Sequence, residues 1–141
     1  MRSETSRDAN QANAGERIGV VDDEPLVTRF LTKFLALHGF AVVAHDAVQM
    51  LGRLRDEPNC VDLLLTDHSM PDMTGVELVA EARALRPTLP VVLITGYSET
   101  TTCEDVQAWG LSAYMTKPID TGELLTEVRR LLTESANVVP Q

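Results

Sequence analysis

The feature that most constrains this chain is a rhythm. From residue 17 onward, short apolar runs alternate with stretches of helical periodicity. Residues 18–21, 40–44, 61–66, 90–95 and 113–116 read as strands, and their near-continuous apolar character suits strands buried on both faces. The segments between and after them read as helices. The first starts at Pro25, a residue suited to a first helical turn, and places Val27, Phe30, Leu31 and Phe34 at i, i+3, i+4 and i+7. His38 and Gly39 end it with a C-cap glycine. Further helices are predicted at 48–55, 75–86, 100–108 and 122–132, the last with Leu124, Leu125, Val128, Leu131 and Leu132 on its apolar stripe. Five strands alternating with five helices imply right-handed crossovers and a parallel sheet covered on both sides. The predicted class is therefore α/β: a doubly wound (βα)5 domain with a five-stranded parallel sheet.

A chain of 141 residues is long enough for one such domain with a real core. We expect the domain at 17–133, a disordered lead-in or linker at 1–16 and a C-terminal tail at 134–141. The lead-in is polar and without apolar periodicity. No apolar run approaches the roughly 20 residues of a membrane helix, and no apolar stretch follows the N-terminal charges as a secretory signal requires. With 12 Lys+Arg against 21 Asp+Glu, the net charge is −9, which disfavours nucleic acid and anionic lipid as direct partners. Cys60 and Cys103 have no metal-ligand spacing. They read as free thiols in a reducing compartment, so the expected location is cytoplasmic; a disulfide between them is the less favoured reading.

In open parallel sheets, ligands bind beyond the carboxyl ends of the strands. Asp22 and Asp23 follow the first strand and Asp67 the third. Thr95 ends the fourth, and Lys117 and Pro118 follow the fifth. Two like charges 4 Å apart repel by about 4 kcal/mol at an effective dielectric of 20. Three gathered carboxylates therefore need cations. Lys117 offers one charge, and a divalent ion with oxygen ligands supplies the rest, Mg²⁺ being the natural choice and Mn²⁺ a substitute. A carboxylate in that setting can attack phosphorus and form an aspartyl phosphate. Metal and lysine then neutralise the equatorial oxygens while Thr95 donates a hydrogen bond.

The segments VVDDEP (20–25), LLTDHSMPDMTG (64–75), LITG (93–96) and YMTKP (114–118), in this order and on these strand ends, resemble the receiver domain of two-component response regulators. The resemblance covers 17–133 and implies a flavodoxin-like fold. It further implies that Asp67 is the phosphoacceptor and that Asp22 and Asp23 hold Mg²⁺, with Asp23 the more direct ligand. The backbone carbonyl of Ser69 would be another metal ligand. Thr95 would bind the phosphoryl group and move with it, Lys117 would pair with it, and the peptide before Pro118 would be cis. Tyr114 matches an aromatic switch position that packs inward when Thr95 moves. Such a domain is a signalling module and catalyses only its own phosphorylation and dephosphorylation. Its implied partners are a histidine kinase or histidine phosphotransfer protein and a downstream protein. The oligomeric state stays open, a phosphorylation-dependent dimer included. The wording LITGY is similar to receivers fused to hybrid kinases.

Each motif alone has a bland reading. Asp22-Asp23-Glu24 suits a solvated acidic turn at a helix N-terminus, Asp67 a cap residue, and Tyr114 ordinary strand packing. Their joint placement on one rim favours the functional reading. Met70 and Met73 read as loop packing, Trp109 as a cap on the core, and His38, His45 and His68 as surface residues. Leu26 falls off the apolar stripe beside the acid pair; docking of a partner helix and burial under loops are equally open for it. Two other classes share the chemistry or the fold. A metal-dependent phosphatase with an aspartate nucleophile would carry Asp-x-Asp on the first strand, where this chain has adjacent acids. A flavin- or nucleotide-binding module would need a Ser/Thr/Gly-rich loop there.

Overall fold

A computed structural model of the chain describes residues 15–71, 73–96 and 108–136. The elements are β1 (Arg17–Val21), α1 (Pro25–Leu37), β2 (Ala41–Ala44), α2 (Ala47–Asp56), β3 (Leu63–Asp67), α3 (Gly75–Leu85), β4 (Val91–Thr95), β5 (Ala113–Thr116) and α4 (Thr121–Ala136). The five strands form one sheet in the order β2-β1-β3-β4-β5, and every pairing is parallel. The fold is doubly wound, as the alternation predicted, and flavodoxin-like, as the resemblance implied. The helix expected at 100–108 lies outside the described residues except for Ala108, which is helical with Trp109.

Alternation along the strands divides the core in two. Leu63, Leu65, Val92 and Ile94 face Leu31 and Leu35 of α1 and Leu124 and Val128 of α4. Leu64, Val91 and Leu93 face Met50 and Leu54 of α2 and Leu78 and Ala82 of α3. Each of these side chains is 1% exposed or less, so each of the larger ones, Ala82 apart, contributes roughly 1.5–3 kcal/mol of apolar burial.

Local signals set the helix ends. Asp46 with Gln49, and Thr74 with Glu77, form reciprocal capping boxes that start α2 and α3, satisfying donors the first turn leaves open. Gly39 at φ +94° reverses the chain after α1, and its N–H reaches the Ala36 carbonyl. Two expectations are corrected. Phe30, assigned to the buried stripe, is 46% exposed and stacks on Phe34 at 6.1 Å; Leu31 of that stripe is buried as expected, and Leu35 joins it in place of Phe30. The α1 sequence is apolar on more than one side, so periodicity alone fits either choice. The last helix also runs to Ala136, past the expected end at 132.

Candidate functional site

The sheet order places the chemistry. The chain winds from β1 to β2, then returns to lay β3 on the other side of β1. Val21 pairs with Thr66, so Asp22 and Asp67 leave adjacent strands side by side. One carboxylate oxygen from each of Asp22, Asp23 and Asp67 lies within 4.8 Å of the others. Asp67 is 4% exposed and the Asp22 side chain 1%, while Asp23 opens to solvent. Asp22 Oδ1 accepts the Glu24 N–H at 2.8 Å, and its buried Oδ2 has no hydrogen-bond partner.

Lys117 Nζ enters this cluster from the end of β5. It lies 3.1 Å from Asp67 Oδ1, 3.2 Å from Glu24 Oε1 and 3.7 Å from Asp22 Oδ2. One ammonium among four carboxylates leaves a strong negative excess. Charges 4.8 Å apart still repel by about 3.5 kcal/mol at a dielectric of 20. The protein registers this in its protonation. Burial, with the negative charge of Asp67 adding to it, pushes Asp22 up to about 6, against the lowering effects of the Glu24 N–H and Lys117. Burial pulls the Lys117 pKa down, but the hydrogen bond to Asp67 and the surrounding acids outweigh it and hold the ammonium above its ordinary value. A buried oxygen without a hydrogen bond, two further carboxylates within reach and a charge deficit suit a hard divalent cation. The all-oxygen set fits Mg²⁺ or Mn²⁺.

The remaining predicted residues surround this cluster. Thr95 is fully buried, and its hydroxyl donates to the Met115 carbonyl at 3.4 Å, a long bond near the limit of useful geometry. Tyr114 is 38% exposed, so its ring points outward. Ser69 is exposed on the loop after β3. The Lys117–Pro118 peptide is cis, and the Lys117 N–H donates to the Thr95 carbonyl. Gly75 touches the site from behind: a Cβ there would lie 2.6 Å from the Asp67 carbonyl oxygen. Leu26 is 74% exposed and lines a groove with Val27, Phe30, Lys117, Pro118 and Ile119, so burial under loops is not its state.

The histidines depart from expectation. All three are partly buried rather than surface residues. His68 stacks on Trp109 at 6.2 Å, and His38 packs on Phe34 at 4.9 Å. Glu24 is the site residue that motif reading passed over. Its signal was adjacency to the acid pair, which equally suits a solvated turn.

A parallel sheet with three acids and a lysine gathered at its switch point defines a flavodoxin-like phosphoryl-acceptor class. Residues 18–129 match the response regulator receiver domain family, and the chain belongs to that family. It is 33% identical over 118 residues to the response regulator receiver protein CpdR of Brucella abortus (strain 2308), covering 83% of this chain and 97% of that protein. It is 36% identical over 118 residues to the regulatory protein AtoC of Escherichia coli (strain K12), covering 82% of this chain but only 25% of AtoC. Among solved structures, a CheY-like receiver domain protein from Methanospirillum hungatei JF-1 superposes with a TM-score of 0.77 at 30% identity, covering 87% of this chain and 98% of that one. The chain is thus a phosphoacceptor receiver domain of two-component signal transduction. Among the described residues no helix is long and apolar enough to cross a membrane.

Proposed function

We propose that Asp67 accepts a phosphoryl group from a phosphohistidine on a histidine kinase or phosphotransfer protein, and that the modified domain signals to a downstream protein. The observation that carries this reading is the Lys117 ammonium 3.1 Å from Asp67 Oδ1, beside a buried Asp22 oxygen with no hydrogen-bond partner.

In this reading an Asp67 oxygen attacks phosphorus, and Lys117 pairs with the charge that arrives. Asp22, Asp23, Asp67 and the Ser69 carbonyl would hold Mg²⁺, which neutralises phosphoryl oxygens when bound. Thr95 gives up its long bond to Met115 to donate to the new group, and the buried space it leaves draws the Tyr114 ring inward. Hydrogen bonds to charged groups contribute roughly 1.5–3 kcal/mol each. Moving a two-state equilibrium from 1:99 to 99:1 takes about 5.5 kcal/mol, within reach of two or three such bonds. Leu26 and its groove offer the kinase-side partner an apolar contact next to Lys117. The chain turns over no separate substrate and works in the cytoplasm.

The test is incubation with acetyl phosphate and Mg²⁺ followed by peptide mass spectrometry. Label is expected on Asp67 of the wild type and absent from Asp67→Asn and from EDTA-treated protein. Label persisting on Asp67→Asn would sink the assignment.

A further inference from the structure

Glu24 is outside the metal cluster, yet its carboxylate reaches the site. Its Oε1 is 3.2 Å from Lys117 Nζ, almost as close as Asp67 Oδ1 at 3.1 Å. Glu24 is the N-cap residue of α1, a position whose side chain often accepts a bond from the first turn. Here it makes no such bond. Pro25 removes one helical N–H, and the Glu24 N–H itself goes to Asp22 Oδ1. The carboxylate is engaged by Lys117 instead of by its own helix. It stands 60% exposed at the mouth of the site, with the buried Asp67 behind the lysine.

We propose that Glu24 is an electrostatic brake on phosphoryl acceptance, holding Lys117 in reserve until the incoming group draws it away. The proposal rests on Asp67 being the acceptor. In the transfer, an Asp67 oxygen forms a bond to the donor's phosphorus. The bond from phosphorus to the leaving group breaks, and the leaving group departs with that electron pair; acetyl phosphate releases acetate. The transferred group brings more negative charge than the carboxylate it modifies. Lys117 must serve it with the same ammonium that Glu24 now holds, and an ammonium has only three donors. Capping plays no part in this, so replacing the carboxylate by its amide leaves the α1 terminus as it is.

The experiment compares initial rates of Asp67 labelling by acetyl phosphate at saturating Mg²⁺ and low ionic strength. It uses the full chain as wild type, Glu24→Gln, Lys117→Gln and the double variant. Glu24→Gln is expected to label faster by roughly three- to tenfold, the scale of partly exposed charge effects. In the Lys117→Gln background that gain should fall to under about twofold, because the cycle removes the partner Glu24 acts through. A Glu24→Gln rate at or below wild type overturns the proposal. So does a gain of equal size in both backgrounds, which would mean Glu24 acts only through its general field. Should Lys117→Gln label too slowly to measure, a crystal structure of the wild type with Mg²⁺ and beryllofluoride decides. Lys117 beyond about 4 Å from Glu24 supports the brake, that distance being the limit of an ion pair; a retained contact overturns it. Failure of the wild type to label overturns the acceptor assignment and the brake together. Normal wild-type labelling with an unchanged Glu24→Gln rate overturns the brake alone.

Discussion

Lys117 Nζ lies 3.1 Å from Asp67 Oδ1, joining the end of β5 to the end of β3 across the intervening β4. This contact puts a positive charge where a phosphoryl group would arrive, and positioned charge is a large contributor to such transfers. Lys117→Met should therefore slow Asp67 labelling by acetyl phosphate, by about ten- to a hundredfold. It should leave the far-ultraviolet circular dichroism unchanged, since the side chain lies at the rim. A labelling rate within twofold of wild type would remove Lys117 from the mechanism.

Asp22 contributes a pH dependence. Its folded pKa of about 6 exceeds the ordinary 3.8, so the folded state binds the proton more tightly than the unfolded one. Its stabilising effect is complete below about 3.8 and is lost as pH rises through about 6. In EDTA, the melting temperature of the wild type should fall between pH 5 and pH 7.5 by more than that of Asp22→Asn. Mg²⁺ reverses the preference, because it needs the ionised carboxylate. Calorimetric Mg²⁺ affinity should drop by about tenfold per pH unit below 6. A flat affinity from pH 5 to 7 would count against Asp22 as a ligand.

Asp22→Asn separates these effects by mutation. The amide can keep the bond from the Glu24 N–H and loses the buried charge. At pH 7.5 in EDTA the variant should melt about 2–6 °C higher, the scale of 1 kcal/mol in a domain this size. Added MgCl₂ should raise its melting temperature far less than it raises that of the wild type. Differential scanning calorimetry reads both outcomes.

Gly75 is a steric prediction. A Cβ there would sit 2.6 Å from the Asp67 carbonyl oxygen and 2.9 Å from His68 Cα, both backbone atoms with little freedom to yield. Gly75→Ala should lower stability in urea by about 1–3 kcal/mol through overpacking, and it should slow labelling by displacing Asp67. An alanine variant as stable and as active as wild type would show that this close approach is dispensable.

Leu26 divides the two kinds of donor. At 74% exposure it adds little to stability, so Leu26→Ser should unfold at the wild-type denaturant midpoint. Labelling by acetyl phosphate should be unaffected. Transfer from the histidine kinase identified by phosphotransfer profiling should slow by roughly tenfold, the cost of losing a central apolar anchor. Equal slowing with both donors would place Leu26 in the site rather than in docking.

The sheet and the strand-end residues were legible because parallel strands are written as short apolar runs, and their carboxyl ends are where chemistry collects. Asp22, Asp23, Asp67 and Lys117 meet as that logic requires. What sequence did not reveal depends on three-dimensional choice. Phe30 and Leu35 of α1 are both apolar, and only packing against β1 and β3 decides which is buried. The His68–Trp109 stack joins residues far apart in sequence and has no periodic signature. Glu24 looked like one more surface acid until the end of β5 brought Lys117 to it.

The neighbouring places of β1 and β3 in the sheet have a consequence for signalling fidelity. Asp22 and Asp23 sit 45 and 44 positions from Asp67 along the chain and become its neighbours only when the centre of the sheet closes. A nascent, truncated or partly unfolded copy therefore has no cation pocket and no lysine beside its aspartate. If Asp67 is the acceptor, such a copy would be chemically silent, neither draining phosphate from the donor nor sending a false message. Competence to carry the signal and completion of the fold arrive in the same event.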